Sequence, residues 1–273
     1  MTELRERTGR YCGGLLGQDT PEETQRLRAL AESCDAHTVE HLTRLGLGPG
    51  WRCLEVGAGA GTIARLMADR VGQTGSVVAT DLNTEPMGEA GVPNLAVLQH
   101  DIVVDPCPGA PFDLIHCRFV LEYLRDRDAV LRRLVSWLAP GGWLLVEGGQ
   151  GISGLSNRAP HARFIQAVLD CLEQITDLDL SWARELPLRL EAAGLVEVTA
   201  QGRCSAVRAG TAPAAMHRMS FELMREPVVA AGLLTAEEFD AGLRRYDDPA
   251  FIDYGPMIIA AAGRRPMSPP LAR

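Results

Sequence analysis

The chain has 273 residues, of which 46% are hydrophobic, and its formal net charge is −8. This length and apolar content suit one large domain with additions, or a domain with a small cap. The acidic balance argues against a nucleic-acid partner, because phosphates are bound by basic patches. All 27 basic residues are arginines, which excludes a Schiff-base lysine and a Walker-type phosphate lysine.

Targeting and metal signals are missing from the sequence. The stretch Met1–Arg7 is charged and lacks the apolar run of a signal peptide, and no segment approaches the roughly 20 apolar residues of a membrane span. We therefore expect a cytoplasmic protein without a membrane partner. The 7 cysteines are scattered and contain no C-x-x-C pair, which indicates reduced thiols. His37 and His41 have helical spacing but no accompanying ligand cluster, so no metal site is predicted.

A helix is predicted to begin at Pro21. Thr20 can cap it, proline suits its first position, and Glu22 and Glu23 fall in its first turn. Apolar residues at spacings of three and four continue the helix until a glycine-rich stretch at 46–50. We expect residues 1–50 to form an arm and a helix that cover the ligand cleft.

Strands and helices then alternate. The predicted strands are Arg52–Val56, Ser76–Thr80, Leu95–Gln99, Phe112–Cys117 and Trp143–Glu147, with helices at Thr62–Val71 and Arg125–Leu138. Short apolar strands separated by helices indicate a parallel sheet with helices on both faces.

The alternation changes after Gly149. Helices are predicted at 157–178, at 182–193 and within 213–247, and strands at 196–201 and 256–262. We expect one domain over 51–263, with helical insertions at about 150–182 and 205–250 that build a substrate pocket. Residues 264–273 are expected to form a flexible tail.

A glycine-rich turn, LEVGAGAGT over Leu54–Thr62, follows the first strand. Glycines at alternate positions allow a sharp bend and a close approach of a ligand to the backbone. The spacing Gly59-x-Gly61-x-x-Ala64, with Asp81 further on, also fits the dinucleotide fingerprint. On this motif alone a nicotinamide or flavin enzyme stays open.

Three acids surround this turn in the predicted sheet. Asp81 ends the second strand and can accept hydrogen bonds from both hydroxyls of a ribose. Asp101 follows the third strand and can accept from the amino group of adenine, while the amide of Ile102 can donate to a ring nitrogen. Glu55 lies two residues before the first glycine. Because open α/β sheets bind ligands at the carboxyl ends of their strands, these residues predict a single site.

Successive segments of the chain resemble the motifs of class I S-adenosylmethionine-dependent methyltransferases, in particular small-molecule enzymes of actinobacterial type. The segments are LEVGAGAGTIA, VVATDL, QHDI, FDLIHCRFVLEYL and LAPGGWLLVEGG, and DYGPMIIAAAGRRP resembles the last strand. The resemblance implies an α/β, Rossmann-like fold with a seven-stranded, mostly parallel sheet. It also implies an antiparallel last strand, helices on both faces, and a helical lid from the N-terminal arm and the insertions.

The same resemblance implies S-adenosylmethionine as the cofactor. Glu55 and the turn Gly57–Gly61 would meet its methionine part, Asp81 its ribose and Asp101 its adenine. The expected contact residues are Glu55, Gly57, Ala58, Gly59, Gly61, Asp81, Leu82, His100, Asp101, Ile102, Cys117 and Arg118. A dinucleotide becomes a weaker alternative, because Glu55 has no task in pyrophosphate binding.

Methyl transfer depends mainly on alignment, and a base is needed only if the acceptor must lose a proton. His116 at the end of the fourth strand and His161 in the helix after the fifth are candidates, and His217 is a weaker one. Each histidine also has an ordinary structural explanation as a packed or solvated side chain. Arg118 can pair with a substrate carboxylate or with Glu122, one helical turn further on.

We expect a methyltransferase acting on O, N or C of a small molecule in secondary metabolism, with a homodimer left open. Two alternatives stay open. An enzyme of the same fold could bind S-adenosylmethionine without using its methyl group and catalyse a cyclisation or rearrangement, or the chain could be an NAD-dependent oxidoreductase.

Overall fold

The computed structural model describes residues 20–109, 111–151, 156 and 158–267. Residues 1–19 of the predicted arm, residue 157 at the predicted start of a helix and residues 268–273 of the predicted tail lie outside the described residues. Within those ranges no helix has the length and apolar character that crossing a bilayer would require.

A seven-stranded sheet forms the centre of the molecule. Its strands are β1 (Arg52–Val56), β2 (Ser76–Asp81), β3 (Leu95–Gln99), β4 (Phe112–Arg118), β5 (Leu138–Gln150), β6 (Val196–Arg208) and β7 (Ile252–Arg264). They lie in the order β3-β2-β1-β4-β5-β7-β6, and β7 runs antiparallel to both β5 and β6 while the other neighbouring pairs are parallel. The predicted seven-stranded sheet with an antiparallel last strand is confirmed.

Eight α-helices accompany this sheet in the described residues. They are α1 (Pro21–Arg44), α2 (Thr62–Val71), α3 (Arg127–Trp137), α4 (Ala159–Ile175), α5 (Leu186–Ala192), α6 (Ala212–Glu222), α7 (Arg225–Ala230) and α8 (Ala236–Arg244). Helix α1 begins as predicted, because the hydroxyl of Thr20 accepts a hydrogen bond from the amide of Glu23 at 3.2 Å and Pro21 occupies its first position.

Both faces of the sheet are covered by helices. Adjacent residues of β1 point to opposite faces, so Cys53 packs with residues of α1 and α2, and Leu54 packs with residues of α3 and α5. Helices α4, α6, α7 and α8 form a separate apolar cluster around Phe164 and Phe239. Helix α6 also packs against α1, so these insertions stand beside the carboxyl edge of the central strands.

Three of the strands, β5, β6 and β7, were predicted too short. Strand β5 begins at Leu138, directly after α3, although it was predicted to begin at Trp143. Its pairing with β4 is irregular at this point, and Gly142 comes so close to β4 that an added Cβ would lie 2.7 Å from the carbonyl oxygen of Phe112. Strands β6 and β7 are each 13 residues long, because they pair with each other well beyond their apolar segments.

Candidate active site

The glycine turn after β1 has a backbone that favours glycine. Its residues Gly57, Gly59 and Gly61 have φ values of +68°, +53° and +73°, which side chains disfavour. A Cβ on Gly57 would lie 2.2 Å from Cγ2 of Val120. The absence of a side chain at this position therefore permits close packing of the turn against the segment after β4.

Asp81 at the end of β2 holds the turn in place. Its Oδ2 accepts a hydrogen bond from the amide of Gly59 at 2.8 Å, and its Oδ1 accepts one from the amide of Asn83 at 3.2 Å. Burial raises the pKa of Asp81, and these backbone donors act against that rise. Each carboxylate oxygen keeps a further lone pair that can accept from a ligand hydroxyl.

A cavity of about 320 Å³ lies over the turn, within the range of roughly 300–1,000 Å³ for small-molecule sites. We call it the first cavity. The expected cofactor residues that line it are Gly57, Ala58, Gly59, Asp81, Leu82, His100, Asp101, Ile102 and Arg118. Helix α1 closes it with residues that sequence reasoning did not assign, Glu23, Leu27, Leu30 and Ala31. The apolar spacing of α1 was the available signal for Leu27 and Leu30.

Three expected cofactor contacts do not line the first cavity. Glu55 is buried, and its carboxylate faces His116. Gly61 is covered, because an added Cβ would lie 2.8 Å from both Arg65 Nη1 and Met87 Cγ. Cys117 is buried in the apolar cluster between the sheet and α3. These residues lie behind the wall of the first cavity, and a contact between them and the cofactor stays a prediction.

His116 lies between two carboxylates inside the sheet. Its Nδ1 is 2.7 Å from Oε2 of Glu55, and its Nε2 is 3.3 Å from Oε2 of Glu147. Burial lowers the pKa of His116, but the two carboxylates outweigh that effect and raise the pKa to about 9. The side chain is fully buried and lines neither the first cavity nor the second one described below. The structure therefore argues against His116 as a general base.

The buried polar network continues from Glu147 to helix α1. The hydroxyl of Thr38 donates to Oε2 of Glu147 at 2.5 Å, and Arg118 donates to that hydroxyl at 2.7 Å and to Oδ1 of Asp35 at 2.8 Å. Arg118 thus pairs with Asp35 on α1, and the alternative pairing with Glu122 is not formed. The network attaches α1 to the carboxyl edge of the sheet.

A second, largely apolar cavity of about 200 Å³ adjoins the first. Leu30 and Phe119 line both cavities, and Phe119 has a φ of +56°. A non-glycine residue in this conformation carries backbone strain of the kind found at functional sites. Helices α4 and α6 supply much of the second cavity's wall, including Ile165, Val168, Leu169, Leu172, Met216 and Phe221.

Two histidines reach the second cavity. His161 is one; burial lowers its pKa despite the nearby Asp253, and its Nδ1 has no hydrogen-bond partner among the described residues. His217 also lines it, with a pKa that burial lowers to about 4. In the described part of the chain, no group of three His, Cys, Asp or Glu side chains is arranged to hold a metal ion.

Glu122 also lines the second cavity, although sequence reasoning treated it only as a partner for Arg118. It lies in a single 3₁₀ turn, Leu121–Tyr123, just after β4. The available signal was an acid inside the apolar run Phe119–Leu124, since buried carboxylates are uncommon without a specific role.

A family model described as a methyltransferase domain matches residues 23–196. Curated relatives include methyltransferase str2 of Strobilurus tenacellus, which is 33% identical over 55% of this chain and 56% of its own length. The ubiquinone/menaquinone biosynthesis C-methyltransferase UbiE of Laribacter hongkongensis is 32% identical over 38% of this chain and 46% of its own length. The chain thus spans about half the length of these curated relatives.

Solved structures share the fold. A phosphoethanolamine N-methyltransferase 2 of Haemonchus contortus, in complex with S-adenosyl-L-methionine, superposes with a TM-score of 0.59 at 16% identity, over 96% of this chain and 60% of that one. The YcgJ protein of Bacillus subtilis gives a TM-score of 0.55 at 16% identity, over 85% of this chain and 100% of that one. At these identities the likeness concerns the fold. The match to the family model covers most of the sheet, and together with the shared fold it disfavours the dinucleotide alternative. The chain belongs to the family of S-adenosylmethionine-dependent methyltransferase domains.

Proposed function

We propose that the protein transfers a methyl group from S-adenosylmethionine to a small, largely apolar molecule. The observation that carries this proposal is the junction of the two cavities at Leu30 and Phe119. A cofactor in the first cavity and an acceptor in the second can meet there, and such alignment supplies much of the acceleration of a group transfer.

The residues of the first cavity fit the cofactor. Asp81 offers free lone pairs to the ribose hydroxyls, and the backbone around Gly57 and Gly59 leaves room for the methionine part. Asp101 and Ile102 line the end of the cavity assigned to adenine. When bound there, S-adenosylmethionine supplies a methyl group that is already activated by its sulfonium, so the protein has to bind, orient and exclude water.

The second cavity favours a small acceptor over a macromolecule. It is enclosed by side chains from α1, α4 and α6 and by segments after β4 and β5, and its volume of about 200 Å³ leaves room for a compact molecule. The matched relatives include a C-methyltransferase of ubiquinone/menaquinone biosynthesis, which supports a small-molecule acceptor. We also propose a role in secondary metabolism, because the sequence motifs resemble those of small-molecule methyltransferases of actinobacterial type. His161 is the sequence candidate that faces this cavity, and it stays a candidate for contact with the acceptor.

The test combines binding and turnover. Calorimetry with S-adenosylhomocysteine and with NAD identifies the cofactor. Gly59→Val is the matched control, because its Cβ would lie 3.7 Å from Leu27 in the wall of the first cavity, and its unfolding temperature is measured alongside. Turnover is measured by mass spectrometry with methyl-labelled cofactor and a panel of small phenols, amines and quinols. Binding of NAD alone would contradict the proposal. Conversion of a panel member without uptake of label would instead indicate a cofactor-binding cyclase or rearrangement catalyst.

A further inference from the structure

Glu122 is a buried carboxyl group in the wall of the acceptor cavity, and one of its two oxygens lacks a hydrogen-bond partner among the described residues. The residue is 2% exposed, and its Oε1 accepts a hydrogen bond from the amide of Gly149 at 3.1 Å. Its Oε2 has no hydrogen-bond partner among the described residues. A buried oxygen without a partner is costly, so the position of Glu122 in the cavity wall suggests that a ligand completes its bonding.

The end of β5 is built around this carboxyl group. A Cβ on Gly148 would lie 2.9 Å from Oε2 of Glu122, and a Cβ on Gly149 would lie 3.8 Å from its Oε1. That same Cβ position on Gly149 is 3.5 Å from Cε1 of Phe119. Gly149, which lines the acceptor cavity, therefore has both the carboxyl group of Glu122 and the ring of Phe119 as neighbours, and Phe119 lines both cavities.

Burial leaves this carboxyl group able to hold a proton near neutrality. Burial raises the pKa of Glu122 to about 7, although the amide of Gly149 and the positive charge of Arg127 act against the rise. Arg127 itself is engaged by Asp179 at 3.0 Å.

Other ionisable groups also reach the same cavity. Arg26 of α1 is bonded to Glu23 at 2.7 Å. The remaining groups that line it are Tyr123, His161, His217, Tyr246 and Tyr254. Both histidines have lowered pKa values and are therefore neutral near pH 7.

We infer that Glu122 is the group that receives the hydroxyl or amine proton of the methyl acceptor, and that the acceptor is an apolar molecule carrying one such donor. This inference rests on the proposed methyl transfer. From a hydroxyl acceptor, the proton moves to Oε2 of Glu122 and the bonding pair stays on oxygen, which bonds to the methyl carbon while the electron pair of the methyl–sulfur bond stays on sulfur. An amine acceptor bonds to the methyl carbon through its lone pair, and the resulting ammonium then gives its proton to Glu122. His161 packs instead among Phe164, Tyr246 and Phe251.

A pair of probes that differ only in the donor tests this inference. Binding of 2-naphthol and of 2-methoxynaphthalene is measured by calorimetry in the presence of S-adenosylhomocysteine, for the native protein and for Glu122→Gln. In the variant, the amide of Gly149 would keep the side-chain oxygen as its acceptor, so an NH2 donor would face the cavity. Glu226→Gln, at an exposed position of α7, is the matched control.

We expect the native protein and Glu226→Gln to bind 2-naphthol roughly ten- to hundredfold more tightly than 2-methoxynaphthalene. This ratio is the range for a hydrogen bond to a charged group. Glu122→Gln should lose or reverse this preference while it keeps its affinity for S-adenosylhomocysteine and its unfolding temperature. A native protein that binds neither probe, or binds both alike, overturns the inference, and so does a preference that persists in Glu122→Gln. If the native protein fails to bind S-adenosylhomocysteine, the proposed function itself fails, and the two failures are thus distinguishable.

Discussion

Nδ1 of His116 lies 2.7 Å from Oε2 of Glu55, and the two residues are directly paired in the register between β1 and β4. The acid that precedes the glycine turn therefore holds a core histidine and does not face the ligand cavity. Glu147 on β5 contacts the opposite nitrogen at 3.3 Å, so three adjacent strands are joined by one buried charged cluster directly beneath the site.

This cluster predicts that stability falls in mildly alkaline solution. Because the pKa of His116 is raised from 6.5 to about 9 in the folded protein, its contribution is fully present below about pH 6.5 and is lost as the pH rises through 9. We expect the free energy of unfolding to fall by a few kcal/mol over this range, because a tenfold change in proton affinity corresponds to about 1.4 kcal/mol. Urea unfolding between about pH 7 and pH 9 measures this fall in the free energy of unfolding. Glu122, whose pKa is about 7, titrates mainly below that range.

His116→Gln is the control for that titration. The variant should be about 3–5 kcal/mol less stable near neutral pH, because it leaves two buried carboxylates without their cation. Its stability should also depend much less on pH over the same range. An equal slope in the native protein and the variant would show that another group titrates.

The contact between Gly57 and Val120 predicts a partial rescue. Gly57→Ala should lower the free energy of unfolding by about 1–2 kcal/mol for the left-handed backbone and by a further 1–3 kcal/mol for overpacking against Val120. The double variant Gly57→Ala/Val120→Ala should regain the stability that overpacking removed, because the shorter side chain no longer collides with the new Cβ. It should keep the loss that comes from the left-handed backbone, and it also bears the ordinary cost of truncating Val120. Thermal unfolding of the two single variants and the double variant gives the coupling energy; purely additive losses would exclude the contact.

Asp81→Ala should weaken the binding of S-adenosylhomocysteine by roughly 1.5–3 kcal/mol, the scale of hydrogen bonds to a charged group. The substitution also leaves the amide of Gly59 without its carboxylate partner, so thermal unfolding without ligand must be measured alongside calorimetry. Asp69→Ala, at an exposed position of α2, is the control. An affinity equal to that of the native protein would mean that the ribose is held elsewhere.

The ion pair between Arg118 and Asp35 predicts that α1 opens more easily when the pair is broken. Asp35→Asn should reduce the free energy of unfolding by about 1–2 kcal/mol, since Arg118 stays largely buried at 12% side-chain exposure. Hydrogen exchange followed by mass spectrometry should show faster exchange in α1. Glu32→Gln, on an exposed position of the same helix, should leave exchange unchanged; equal protection in both variants would refute the role of the pair.

Much of the first cavity could be predicted from the sequence, because its residues lie at the ends of successive strands. Gly57, Gly59, Asp81 and Asp101 each lie close to the carboxyl end of a predicted strand, and the ends of parallel strands meet at one edge of the sheet. Strand β6, in contrast, was predicted too short, because its residues are mostly exposed. No apolar pattern therefore marks the part of β6 that pairs with β7.

The sequence by itself determined the order of strands and helices, the glycine turn and the acids around it, because these depend on local spacing and backbone conformation. Only the tertiary structure decided which way the side chains face. Glu55 and Glu122 are both buried acids near the ends of neighbouring strands. Glu55 points to His116, whereas Glu122 lines the second cavity and has one oxygen without a hydrogen-bond partner among the described residues. That difference arises from residues far apart in the chain, such as Glu147 and Gly149, whose positions follow from the packing of the sheet and the helices. The glycine turn and the acids around it therefore predict the cofactor site, whereas the proposed acceptor site depends on contacts that form only in the folded chain.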